Sequence, residues 1–160
     1  MLISKELNAL INEQIGHEFE ASHQYLQIAA YFETHALKKA SELFQKQSDE
    51  ERMHGLKFVK YIYETGGQLA IPAVSAGQAT FESAEAAIKY ALDWEWEVTR
   101  KINALMDLAI KQNDHLAREF LGWFVTEQLE EVSSMDNLLK VVKQAGERNM
   151  IMLEAYLSHD

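Results

Sequence analysis

Apolar residues recur every three or four positions through four long stretches of the chain. This spacing places them along one side of an α-helix. The stretches run approximately over 7–32, 37–65, 83–112 and 114–144. No strand-like alternation of comparable length competes with them, so the pattern predicts an all-α fold.

Capping and breaking residues punctuate the stretches where helices must begin and end. Ser4, Ser83 and Asp114 precede helical patterns and are residue types that cap helix N-termini. A short break near Thr34 separates the first two stretches, and Gly66 with the following glycine ends the second. We therefore expect four long helices of about 28 residues, each about 42 Å long.

The segment 66–82 contains Pro72, the only proline of the chain. Its roughly 17 residues exceed the 2–8 usual between neighbouring antiparallel helices. Such a length fits a crossover along the whole bundle, which predicts a four-helix bundle with two hairpins. Gly146 then separates a short amphipathic tail. We expect one domain over 1–160, with the bundle in 4–144 and a short fifth C-terminal helix in 147–157.

Composition narrows the possible chemistry. The 160 residues include no cysteine, which excludes disulfides, zinc ribbons and iron sites held by cysteines. A formal net charge of −10 argues against nucleic-acid binding. There is no long apolar run and no apolar signal-peptide core, so we expect no membrane partner and a cytoplasmic location.

The inward-facing row of each helix carries a polar group near its midpoint. A lone buried carboxylate costs several kcal/mol or is forced to take up a proton. Four helices that each bury such a group at the same depth need one bound species that offsets the cost for all of them. A bound pair of iron ions supplies it. A buried ion-pair network is the alternative, but no lysine or arginine lies in these rows. The polar positions are Glu18; Glu51 and His54; Glu95; and Gln128 and Glu131.

Glu51-x-x-His54 has the spacing of di-iron carboxylate bundles, in which two helices give one Glu each and two give Glu-x-x-His. The fourth helix departs from that rule, with Gln128 and Glu131 instead. One iron would be held by Glu18, Glu51 and His54. The other would share Glu51 and take Glu95, with Glu131 as a further candidate and Gln128 nearby. We expect this second position to be weaker and more open.

The chain resembles the bacterial non-haem ferritins along its whole length. The match is carried by NEQIGHEFEASHQY, SDEERMHGLKFVKYI, RKIN after Glu95, and GWFVTEQLEEV. The resemblance implies a ferroxidase centre at Glu18, Glu51, His54, Glu95 and Gln128, with Glu131 beside it. It also implies a third iron site at Glu50, Glu127 and Glu130, and a tyrosine, Tyr25, that donates an electron or holds a carboxylate. Trp123 matches an aromatic residue of the family, for which packing is the simpler role, as it is for Trp94 and Trp96.

Related families differ at specific residues. Bacterioferritins bind haem through a methionine directly after the bridging glutamate, where this chain has Arg52, so we expect no haem. The resemblance implies a homo-oligomer of 24 subunits in which the fifth helix lines four-fold channels. The predicted buried face of that helix is Met150, Ile151, Leu153 and Leu157. Asp114, His115 and Glu119 would lie near three-fold channels or serve as surface charge, and Arg118 among them favours the latter.

The resemblance implies an iron-storage function: oxidation of Fe(II) by dioxygen or peroxide, then storage of a ferric oxyhydroxide mineral in a hollow shell. Two alternatives remain open at this point. One is a di-iron oxygenase for an organic substrate, which needs a substrate cavity beside the irons. The other is a non-catalytic metal buffer. The remaining histidines lie off the inward rows and are expected at solvent or interfaces; they are His17, His23, His35, His115 and His159.

Overall fold

The computed structural model describes residues 1–159. Four long helices occur where they are predicted, and among the described residues there is no strand, so the all-α prediction is confirmed. None of these helices combines the length and apolar character needed to span a membrane. The helices are α1 (Lys5–Thr34), α2 (Lys38–Glu64), α3 (Ala84–Lys111), α4 (His115–Ala145) and α5 (Ile151–Leu157), with a 3₁₀ turn at Glu147–Asn149.

Three of the long helices begin at the predicted capping residues. Ser4, Ser83 and Asp114 each accept a hydrogen bond from the backbone N–H three residues later, at 2.9 to 3.1 Å. These contacts satisfy donors that the first helical turn leaves without partners. The N-terminus of α2 has no such side chain, because the preceding residue is Leu37.

The long connection between α2 and α3 runs along α1, as predicted for a crossover. Asn12 donates to the Gln68 carbonyl at 2.8 Å and accepts from the Ala70 N–H at 2.7 Å. Further along α1, Gln24 makes the same pair of contacts with the backbone of Gln78, at 3.0 and 2.7 Å. These two amides are about 18 Å apart along the helix, so the connection is attached over much of the bundle.

The fifth helix packs on α2 and α4 and supplies the cap that α2 lacks. The Glu154 carboxylate accepts from the N–H groups of Lys39 and Ala40 at 2.9 and 3.0 Å. Leu153 is fully buried, as predicted for the inner face of this helix. Ile151 is 73% exposed within the subunit, so its predicted place on the buried face is wrong. Ile151 and Leu153 are two residues apart, which places their side chains on roughly opposite sides of this short helix.

The apolar core consists of two clusters separated by a polar layer. One cluster surrounds Tyr25, Phe32 and Phe44, and the other surrounds Ile15 and Phe58. Each long helix passes from one cluster to the other, and its central polar residue lies between them. The bundle therefore places the polar groups of four helices at a common depth.

Candidate metal centre

All six polar side chains of the inward rows are buried in the layer between the two apolar clusters. None of them is more than 6% exposed. The polar residues predicted from the four helix rows therefore do converge. They are Glu18, Glu51, His54, Glu95, Gln128 and Glu131.

Glu18, Glu51 and His54 form the first group able to hold a metal ion. One ligand atom from each residue lies within 4.8 Å of the others. His54 Nδ1 is 3.2 Å from Glu51 Oε2 and 4.0 Å from Glu18 Oε2. Glu18 Oε2 is buried without any hydrogen-bond partner. A buried carboxylate oxygen without a partner is costly, and a cation between these atoms would satisfy it.

Glu51, Glu95 and Glu131 form a second group with ligand atoms within the same 4.8 Å. Glu51 belongs to both groups, so its carboxylate is the point at which the two groups meet. The buried Tyr25 hydroxyl donates to Glu95 Oε1. Gln128 Nε2 donates to Glu95 Oε2 at 3.2 Å and to the Glu95 carbonyl at 3.1 Å. In this structure Gln128 therefore supports Glu95 directly.

Two further glutamines contact the carboxylates. Gln47 lies in the inward row predicted for the second helix and Gln14 does not, and the sequence patterns assigned a role to neither. Gln14 Nε2 donates to Glu18 Oε1 at 2.9 Å. Gln47 Nε2 donates to Glu51 Oε1 at 3.1 Å and to Glu131 Oε2 at 2.5 Å. The signal was present as Gln-x-x-x-Glu in both α1 and α2, because residues four apart lie on the same side of a helix.

The four carboxyl groups hold protons more tightly than usual. Burial is the main cause and raises the pKa of Glu18 and Glu51, and neighbouring carboxylates raise both pKa values further. Burial also raises the pKa of Glu95, although the bonds from Tyr25 and Gln128 oppose this change. The pKa of Glu131 is raised to about 8 by burial and by Glu95. Metal binding would therefore release protons from this site.

No lysine or arginine side chain forms an ion pair with these carboxylates in the described part of the chain. Within residues 1–159, the only basic group within 4.0 Å of them is His54. Its other nitrogen, Nε2, is 3.7 Å from Glu127 Oε1. A buried ion-pair network does not account for four clustered carboxylates with a single imidazole, whereas bound cations do.

An acidic cavity of about 390 Å³ adjoins the second group, between α2, α4 and α5. Glu131 lines it, together with the three residues implied for a third iron site, Glu50, Glu127 and Glu130. Only Glu127 comes within ligand distance of the centre, in a group with His54 and Glu131. The structure therefore brings the three residues to one cavity without gathering them around one point.

Comparisons with known proteins agree with this geometry. The family model described as a ferritin-like domain matches residues 8–145. The chain belongs to the ferritin family. It is 34% identical to ferritin BfrB of Mycolicibacterium smegmatis, over 99% of this chain and 87% of that protein. It is equally similar, at 34%, to a bacterial non-haem ferritin of Staphylococcus aureus, over 91% of this chain and 88% of that protein.

Solved ferritin structures share the fold over almost the whole length. An open pore ferritin from the hyperthermophilic archaeon Archaeoglobus fulgidus superimposes with a TM-score of 0.94 at 31% identity, covering 99% of both chains. An engineered closed form of that ferritin gives a TM-score of 0.93 at 31% identity, covering 99% and 98%. The predicted ferritin-like bundle with a short fifth helix is therefore confirmed.

Aromatic residues flank the centre of this ferritin on different sides. Tyr25 is fully buried, and burial together with Glu95 raises the pKa of its hydroxyl. Trp123 is 40% exposed and meets the His54 ring edge-on at 5.4 Å, with Lys57 Nζ 3.3 Å from its ring centroid. Trp94 packs against both apolar clusters, as predicted, whereas Trp96 is exposed within the subunit.

The histidines outside the inward rows take no part in the metal groups of residues 1–159. His17 is half-buried and lies 2.6 Å from Lys101 Nζ, and burial with that lysine lowers its pKa. The other four, His23, His35, His115 and His159, are exposed. Within the subunit, these five histidines therefore lie apart from the candidate ligand groups.

Proposed function

We propose that this protein is an iron-storage ferritin subunit that oxidises Fe(II) to Fe(III) at a di-iron centre within one subunit. The observation that carries the proposal is the pair of buried ligand groups that share Glu51. A shared carboxylate would hold two Fe(II) ions close together, so that one oxidant molecule could take one electron from each. Carboxylate oxygens with one imidazole suit iron in both oxidation states.

Fe(II) is the substrate in this proposal. Two Fe(II) ions give up two electrons, which reduce dioxygen and two protons to hydrogen peroxide, or hydrogen peroxide and two protons to water. Glu18, Glu51 and His54 would hold one ion, and Glu51, Glu95 and Glu131 the other, with Gln128 positioning Glu95. Carboxyl groups that hold protons in the metal-free protein would release them as iron binds, so iron occupancy and proton release are linked.

Oxidised iron would leave through the acidic cavity beside Glu131. Glu50, Glu127 and Glu130 line that cavity and offer further oxygen ligands. We assign them to a third iron site that takes up iron on its way to storage. Replacing all three with alanine would then slow repeated turnover. Unchanged stoichiometry and turnover would remove this assignment.

Storage as a ferric oxyhydroxide mineral requires a hollow shell, and we propose a homo-oligomer of 24 subunits. The similarity to solved ferritins supports this proposal. The apolar side chains that α5 leaves exposed, Ile151, Met152 and Tyr156, offer a surface for neighbouring subunits. Asp114, His115 and Glu119 would serve mainly as surface charge, with a place near the three-fold channels as the alternative. A cytoplasmic location and the absence of haem stay predictions, the latter from Arg52 at the position of the haem methionine.

The acidic cavity also bears on the alternative of an organic substrate. Three of its carboxylates are at least partly exposed, and such a surface attracts cations more readily than an apolar substrate. The intact ligand set disfavours a metal buffer.

One assay separates the three functions. Fe(II) is added aerobically to the assembled protein, and ferric absorbance, particle size and mass are followed.

Fast oxidation with mineral retained in a large assembly supports storage. Oxidation in a small assembly without mineral favours the oxygenase, and oxidation no faster than that of iron alone favours the buffer. The Glu51→Ala variant is the matching test of the site. We expect it to stay assembled but to lose at least about 100-fold in initial rate, because both metal positions lose a ligand. Glu42→Ala, on the exposed side of the same helix, is the control; a normal rate in Glu51→Ala would contradict the assignment.

A further inference from the structure

A partly buried amide lies on the wall between the metal centre and the acidic cavity. Gln47 is one helical turn before Glu51 and lines the cavity beside Glu50 and Glu131. Its Nε2 atom donates to Glu51 at 3.1 Å and to Glu131 at 2.5 Å. An amide nitrogen carries two hydrogens, so it can make both bonds at once. Gln47 thus links a carboxylate of α2 to one of α4.

Glu131 is the carboxylate whose direction this link decides. Its ligand atoms lie within 4.8 Å of Glu51 and Glu95, and also of His54 and Glu127. It lines the cavity as well, although it is only 5% exposed. Glu131 can therefore face the second metal position or the cavity. The bond from Gln47 holds one of its oxygens next to Glu51.

Resting on the function proposed above, we infer that Gln47 is a positioning residue that holds Glu131 at the second metal position and so controls the passage of iron into the cavity. Hydrogen-bond partners of ligating carboxylates set their orientation, and losing such a partner commonly costs about 10–100-fold in metal affinity. Gln14 makes the corresponding bond to Glu18 at the first position. It does not line this cavity, so the two glutamines differ in what they can control.

A metal titration of the assembled protein tests this inference without any oxidation. Co(II) is added to metal-free protein under anaerobic conditions, and its visible absorption reports each binding step. In Gln47→Leu, which removes the donor at similar volume, we expect the weaker step to lose about tenfold or more in affinity. The stronger step, at Glu18, Glu51 and His54, also loses the Gln47 bond to Glu51, but it keeps the other ligands in place and is expected to weaken by no more than about threefold. Gln45→Leu, the same change on the exposed side of α2, leaves both steps unchanged.

A second measurement follows iron itself. Fe(II) is added aerobically in two portions, each sufficient to fill the centre. The measured quantity is the waiting time after which the second portion is again oxidised in the fast phase. We expect this time to be shorter in Gln47→Leu, because Glu131 is free to turn toward the cavity. Unchanged Co(II) affinity and waiting time overturn the inference. Equal weakening of both Co(II) steps overturns it too, because that result describes a general loss of structure.

Gln47→Asn keeps an amide that is one methylene too short to reach both carboxylates. It replaces Gln47→Leu if the latter does not assemble, and the same expectations apply. The wild-type oxidation rate tests the proposed function alone. If the wild-type protein binds Co(II) in separate steps but does not oxidise iron, the proposed function is wrong. The Co(II) titration of Gln47→Leu still tests the positioning role of Gln47 in that case.

Discussion

The two proposed metal positions share Glu51 but differ in what lies behind their other ligands. The first has an imidazole nitrogen from His54 and a free Glu18 oxygen, with Gln14 bonded to the other Glu18 oxygen. The second has only carboxylates, Glu95 and Glu131, and Glu131 also lines the acidic cavity. One position is thus enclosed by the bundle, whereas the other opens on one side.

This difference gives a physical reason why one site could both bind and release iron, as we propose. An enclosed position with a nitrogen ligand retains its ion, whereas an all-oxygen position suits the harder Fe(III) and is next to further carboxylates. The residues that hold the ligands of the second position also differ in how firmly they act. Tyr25 and Gln128 fix Glu95 firmly, but Glu131 depends on Gln47, a residue that itself faces the cavity. Variants that act on one position at a time test the comparison.

The largest effect is expected from removing a ligand charge at the enclosed position. Glu18→Gln removes the charge of Glu18 and replaces one of its two ligand oxygens with an amide nitrogen, and we expect the initial oxidation rate to fall about 100-fold. Glu131→Gln, at the open position, costs about tenfold, because Glu127 is near enough to substitute in part. Ferric absorbance after a single Fe(II) addition measures both. Equal losses would contradict the distinction between the two positions.

The stability of the metal-free protein is expected to fall with rising pH. The pKa of Glu131 is about 8 in the folded chain, against an ordinary value of 4.5. Between these values the folded state holds a proton that the unfolded state has lost, so the free energy of unfolding decreases as pH rises through that window. Melting temperatures from pH 5 to 8 in the presence of a chelator measure the slope. Glu131→Gln reduces the slope without abolishing it, because the pKa values of Glu18, Glu51 and Glu95 are raised as well. An unchanged slope would contradict the contribution of Glu131.

A smaller effect is expected at the tyrosine that supports the open position. Tyr25→Phe removes the donor to Glu95, a bond to a charged group worth about 1.5–3 kcal/mol. We expect less than a tenfold fall in initial rate, because Gln128 still holds Glu95. Rapid-freeze electron paramagnetic resonance tests electron donation, since a tyrosyl signal assigned to Tyr25 disappears in the variant. Tyr63→Phe, exposed on α2, is the control, and a signal that persists in Tyr25→Phe would end the assignment.

The smallest effect is expected outside both positions. His17 lies next to Lys101 and belongs to neither ligand group. His17→Gln is therefore expected to change the oxidation rate by no more than about twofold, as for substitutions away from a site. The same assay measures it. A large loss would show that the outer side of α1 contributes to iron entry.

Much of the site could be predicted because helix geometry is local. Residues three and four apart share a side of a helix whatever surrounds it, so the rows through Glu18, Glu51, Glu95 and Glu131 were readable in advance. The capping of α1 by Ser4 is local in the same way, since donor and acceptor are three residues apart. The sequence by itself thus determined the four helices, their inward faces and the depth of their polar residues.

Only the tertiary structure decided how those faces meet. Glu154 caps α2 from 115 residues away, and no local pattern connects the two. Gln47 of α2 meets Glu131 of α4 across the bundle, and Ile151 is exposed at the start of α5. These contacts depend on distances between helices, which periodicity does not specify. The enclosed and open character of the two metal positions is therefore a property of packing, because it arises where α2, α4 and α5 leave a cavity beside Glu131.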